Sequence, residues 1–94
     1  MTAKERITHL VTETLHPLHL EVVDESYLHK GHAGYREGVQ THLRLTVVST
    51  AFEGKSRVDR HRILHTLLDN ELKNGVHALA LVLHTPEEMQ RSRP

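Results

Sequence analysis

Between residues 3 and 16, apolar side chains recur at spacings of three and four: Ile7, Leu10, Val11 and Leu15 form a stripe that Thr14 joins. That period predicts an amphipathic helix, started by Thr2 or Ala3 and stopped by Pro17. From Leu18 to Glu25 the period falls to two. Leu18, Leu20 and Val22 alternate with His19, Glu21 and Val23, which predicts a strand. Residues 26–39 contain Gly31, Gly34 and Gly38 with little apolar periodicity, and read as a long loop. Period two returns with Leu43, Leu45 and Val47 against His42, Arg44, Thr46 and Val48, a strand with one apolar and one largely polar face.

The second half is punctuated more sharply. Phe52-Glu53-Gly54 predicts a turn. Ser56 followed by Asp59 fits a capping box opening a helix from about residue 57 to 73. Its stripe is Ile63, Leu64, Leu67, Leu68 and Leu72, with Val58 at the near end. Asn74-Gly75 suits a left-handed C-cap. The apolar run from Val76 to Leu83, broken only by His77, is too short for a helix and predicts a central strand flanked on both edges. Thr85-Pro86-Glu87-Glu88 then starts a short helix reaching about Gln90, with Thr85 as cap, Pro86 at the first helical position and Glu88 returning the bond.

The order α-β-β-α-β-α predicts a small α+β domain. Its three-stranded mixed sheet has helices packed on one face: a long-loop hairpin, then a right-handed helical crossover to a parallel third strand. The chain's 94 residues suit one modest core. We therefore expect one domain over residues 1–94, with its core at about 3–90 and a frayed tail at 91–94.

Lysine plus arginine equals aspartate plus glutamate, 12 each, so no overall charge draws the chain to nucleic acid or acidic membranes. A local basic segment does exist: Lys55, Arg57, Arg60 and Arg62 stand against Asp59. Tyr27, Tyr35 and Phe52 are the only aromatic residues, which argues against a base-stacking platform. No apolar run approaches transmembrane length and the first ten residues lack a secretory pattern, so the expected location is cytoplasmic. The histidine count changes the picture more. Ten histidines and no cysteine exclude disulfides, a thiolate nucleophile and an all-cysteine metal site. They leave imidazole nitrogen and carboxylate oxygen as ligands.

His77, inside a run otherwise built for burial, reads either as a ligand at the sheet's edge or as an ordinary strand histidine. His29 and His32 in the glycine-containing loop read as ligands, as a metal-binding pair, or as solvated loop residues. His61 is expected to pack back on the sheet or bond to a loop. His65, four residues on, would split from it into a different role, and His42 would join the wet strand face. Arg57, Arg60 and Arg62 are candidate contacts to a partner or to nucleic acid. No Gly-x-x-Gly loop of the RNA-binding kind stands between helices. For a zinc hydrolase, a paired acid–base residue is missing; Glu25 is the only tempting carboxylate.

Five stretches, in order and spacing, resemble the BolA family: LEVVDES at 20–26, THLRLTVVSTAFEG at 41–54, RHR at 60–62, VHALAL at 76–81 and TPEEM at 85–89. The resemblance covers about residues 5–89. It implies a KH-like fold of the second type and a non-enzymatic adaptor role in iron–sulfur cluster trafficking or iron-linked regulation. The implied partner is a monothiol glutaredoxin. A [2Fe–2S] cluster would be held jointly by the partner's cysteine, by glutathione and by this chain. The family's C-terminal ligand falls on His77. Its loop ligand falls on His29, with His32 as the neighbouring candidate, in a loop longer than the family's usual one. Met89 stands where many members have tryptophan. Some members are credited with DNA binding, so the alternative is a transcriptional regulator using the basic helix start at Arg57–Arg62. The isolated chain is expected to hold no cluster and to be a monomer or weak homodimer. Imidazole ligation requires neutral rings and raises a cluster's potential relative to all-thiolate ligation.

Overall fold

A computed structural model describes residues 1–29, 31 and 40–91, without the side chains of His29 and Arg91. Helix α1 spans Ala3–Leu15, strand β1 His19–Asp24, a 3-10 turn Ser26–His29 and strand β2 His42–Val48. A second 3-10 turn at Thr50–Phe52 leads to helices α2 (Arg57–Leu67) and α3 (Asp69–Lys73), strand β3 (Ala78–His84) and helix α4 (Pro86–Arg91).

Thr2 starts α1. Its hydroxyl accepts from the Glu5 amide at 3.2 Å, and the Glu5 carboxylate accepts from the Thr2 amide at 3.0 Å. The Thr2 amide and, also at 3.0 Å, the Thr2 hydroxyl both donate to the Glu5 carboxylate and hold it below its usual range. Pro17 disfavours helical geometry in the residue before it. His16 accordingly leaves the helix in the left-handed region, φ 44° and ψ 57°, while its amide still donates to the Thr12 carbonyl at 3.2 Å.

The sheet has the order β1-β2-β3. β1 and β2 are antiparallel, with Val22 opposite Leu45 and Leu20 opposite Val47. β2 and β3 are parallel, with Leu45 opposite Leu81 and Val47 opposite Leu83. These alternate positions form one apolar face. Ile7, Val11 and Leu15 of α1 join Leu64 and Leu68 in one core cluster with it, and Phe52 is completely buried.

Several expectations are corrected. β3 is an edge strand, and β2 is the central one. The apolar run arises because Leu79, Leu81 and Leu83 share the core face, while Ala78 and Ala80 on the other face are small rather than buried. The helix expected over 57–73 is two helices. Leu68 takes φ −102° and ψ 12° between them, which keeps Leu68 fully buried and directs α3 so that Glu71 meets Arg6. That contact is bidentate, at 2.6 and 2.9 Å, and raises the Arg6 pKa. Leu18 and Val58 are 70% and 58% exposed, and Thr14 faces solvent, because each lies at the margin of its stripe. Ser56 accepts from the Asp59 amide at 3.1 Å. Among the described residues, the return bond expected from Asp59 is not made. Its carboxylate is one methylene shorter than the glutamate of a capping box and lies 3.6 Å from Arg62 instead. The box at α4 is complete, with bonds of 3.2 and 2.9 Å between Thr85 and Glu88.

Candidate functional site

The candidate site is the end of the sheet where β2 and β3 begin. The chain leaves α3 through Gly75, whose φ of +141° suits glycine. The Val76 amide donates back to the Glu71 carbonyl at 3.0 Å, a bond of the kind that closes helix C-termini. Val76 is buried, and next to it the amides of His77 and Ala78 both donate to the Thr41 carbonyl, at 2.7 and 3.1 Å. His77 is therefore pinned by its backbone, while its side chain is exposed.

Thr41 and His42 also hold the other half of the site. The Ser26 hydroxyl accepts from the Thr41 amide at 2.8 Å and from the His42 amide at 3.1 Å. The Ser26 amide donates to the Asp24 carboxylate at 2.9 Å, and the Leu28 amide donates to the Glu25 carbonyl at 3.0 Å. The 3-10 turn that ends at His29 thus shares Thr41 with the start of β3 as an anchor. His29 closes that turn, its ring lying outside the described residues, as does the whole of His32. Tyr27 and Leu28, in the same turn, are 73% and 55% exposed, apolar surface immediately before His29 in the chain.

His42 departs from expectation. It lies on the polar phase of β2 but is buried. Its Nδ1 is 2.8 Å from the Thr41 hydroxyl, and its ring centroid lies 5.3 Å from that of His77 with planes tilted by 52°. Sequence pattern missed it because strand alternation assigns a face and says nothing of what covers the strand's end. Ser26 and Thr41 were missed likewise; a serine and a threonine at strand ends carry no distinguishing spacing.

The basic segment divides. Arg57 and Arg62 are exposed. Arg60, a candidate contact from the sequence, is 8% exposed and turned inward. It binds both Glu88 oxygens at 2.5 and 3.0 Å, donates to the carbonyls of Leu83 and Lys55, and lies 5.9 Å from the Phe52 ring centroid. Among the described residues, Arg57 and Arg62 have no such clamp. The hydrogen bonds from Arg60, then that from the Thr85 amide, hold the Glu88 carboxyl down to about 2, and Arg60 is correspondingly raised. His61 does not pack on the sheet. It is exposed, with Nδ1 at 2.8 Å from the Arg57 carbonyl, and His65 is exposed as well. Glu25 pairs with Arg44 at 3.2 Å. Among the described residues, no three histidine, aspartate or glutamate side chains are grouped to hold a metal ion, and no helix is long and apolar enough to cross a membrane.

The architecture is that of a small mixed-sheet α+β domain presenting a histidine where its edge strand begins. The chain belongs to the BolA family: residues 11–88 match the family of BolA-like proteins. It is 48% identical over 88 residues to SufE-like protein 1, chloroplastic/mitochondrial, of Arabidopsis thaliana, covering 89% of this chain and 24% of that protein. It is 39% identical over 90 residues to the DNA-binding transcriptional regulator BolA of Escherichia coli, covering 96% and 82% respectively. The solved BolA domain of SufE1 from Arabidopsis thaliana superposes with a TM-score of 0.84 at 45% identity, covering 94% of this chain and 96% of that one. The chain thus spans about a quarter of one relative and most of another. The name of the first places it in organelles, so family membership does not fix the compartment as cytoplasmic.

Proposed function

We propose that this chain is an adaptor that docks a monothiol glutaredoxin and shares a [2Fe–2S] cluster with it. His77 and a histidine of the loop after β1, His29 in preference to His32, would supply this chain's ligands. The partner's cysteine and glutathione would supply the sulfurs. The observation that carries this reading is the common anchorage of two histidine-bearing segments on Thr41, with the His77 ring in solvent. The donor set is consistent with it. A chain with no cysteine offers only part of a cluster's usual ligands, so the remainder must come from another molecule. The exposed Tyr27 and Leu28 give that molecule an apolar surface just before His29 in the chain.

The relative from Escherichia coli is named for DNA binding. Here that reading has less support, because Arg60 is committed to Glu88 and the net charge is zero.

Mixing this chain with a cluster-loaded monothiol glutaredoxin tests the proposal by visible absorption and circular dichroism. The spectrum is expected to change at equimolar protein, and to lose that change with His77→Ala and His29→Ala but not with His32→Ala. An unchanged spectrum overturns cluster sharing. A loss with His32→Ala alone moves the loop ligand to His32.

A further inference from the structure

At the other end of β3 there is a groove of about 600 Å³ that the histidine site does not use. Its floor is the run Leu81–His84. Side chains of consecutive strand residues point to opposite faces, so four in a row line one groove only through the strand's edge. β3 is an edge strand. The direction of its main-chain groups is fixed by two bonds. The His84 carbonyl accepts from the Ser49 amide, towards β2, whereas the Leu83 carbonyl accepts from Arg60 Nη1, on the outer side. Main-chain groups alternate along a strand, so Leu81 presents both N–H and C=O to the groove, and Leu83 presents its N–H. At ~3.3 Å per residue this run begins ~13 Å from His77, so it is a separate surface.

Two cations stand in the walls: Lys55 and Arg57, from the turn before α2 and its first residue, with the imidazoles of His61 and His84 beside them. The one carboxylate, Glu88, is neutralised by Arg60, with His84 Nδ1 at 3.7 Å. Among the described residues neither Lys55 nor Arg57 forms an ion pair. The groove therefore joins strand-edge donors and acceptors that have no partner among the described residues to the positive charge of Lys55 and Arg57.

We propose that this groove binds an extended acidic peptide segment of a partner protein, which adds to the sheet as a fourth strand beside β3. A peptide main chain meets alternating N–H and C=O groups, which is how strand addition gains affinity, and acidic side chains meet Lys55 and Arg57. Nucleic acid would satisfy the cations but offers phosphate acceptors with no use for the Leu81 carbonyl. A second copy pairing β3 to β3 would bring two sets of cations together.

The probe is a fluorescein-labelled peptide of alternating glutamate and valine, titrated into the full chain by anisotropy, with amide shifts followed by NMR. It is expected to bind and to shift the amides of Leu81 and Leu83. The double variant Lys55→Glu, Arg57→Glu, both exposed positions, should weaken it about tenfold or more. A copy of the peptide N-methylated at alternate residues should also bind the native chain about tenfold or more weakly, a result that needs no protein variant. The proposal is overturned if a lysine–valine peptide binds equally well, or if N-methylation has no effect. It is equally overturned if duplex DNA displaces the peptide and shifts the same amides more strongly, or if the shifts arise from self-association of the chain.

Discussion

The imidazole of His42 lies 5.3 Å from that of His77, the first buried and bonded to Thr41, the second exposed. One ring is part of the fold, and the other is held against it. The two positions should therefore respond differently to substitution. His77→Ala is expected to leave urea stability within about 0.5 kcal/mol of the parent, as for other exposed side chains, while abolishing the spectral change with a loaded glutaredoxin. His42→Ala should cost about 1–3 kcal/mol through the buried polar group lost from Thr41. Parallel denaturation and circular dichroism of both variants check this.

Ser49 is completely buried and joins two elements: its hydroxyl donates to the Leu15 carbonyl at 2.6 Å and accepts from the Ala51 amide at 3.1 Å. Ser49→Ala strands both groups and should destabilise by about 1–3 kcal/mol. The change would appear in urea as a lower midpoint with an unchanged slope.

Glu88 gives the fold an acid dependence. Its carboxyl is lowered from 4.5 to about 2 by Arg60 first and the Thr85 amide second. A depressed folded-state pKa means that the unfolded chain binds the extra proton. The stability it contributes is complete above pH 4.5 and is lost as pH falls towards 2. Glu88→Gln should melt at a lower temperature than the parent at neutral pH, and the gap should narrow across that window. A gap independent of pH would contradict the assignment.

His16 occupies the left-handed region at φ 44°, where side-chain-bearing L-residues are strained. His16→Gly is expected to stabilise by about 0.5–1 kcal/mol, the strain relieved exceeding glycine's greater freedom when unfolded. Thermal melts of the two proteins measure the difference.

Much of this was legible in sequence because local chemistry specified it. Thr2 and Thr85 form the caps their neighbours indicate, Leu43, Leu45 and Val47 alternate into the core, and Gly75 takes a positive φ after α3. What could not be read depends on residues distant along the chain. An apolar run cannot report whether a strand is central or at an edge, so β3 was misplaced. The break at Leu68 is coupled to Arg6 reaching Glu71, a contact across 65 positions. Arg60 and His42 look like surface residues until Glu88 and Thr41 are brought beside them. At the histidine site, periodicity and family resemblance could select His77, but the shared anchor of Ser26, Thr41 and His42 comes from topology alone.

The parallel pairing of β2 with β3 has a consequence for biosynthesis. A hairpin closes as soon as its second arm is made, but a parallel partner must wait for the crossover helices between. A nascent polypeptide halted before Gly75 would own the turn at Ser26–His29 and yet have nothing to hang from the Thr41 carbonyl. On the function proposed above, this end of the molecule becomes competent for its cluster only after β3 has left the ribosome.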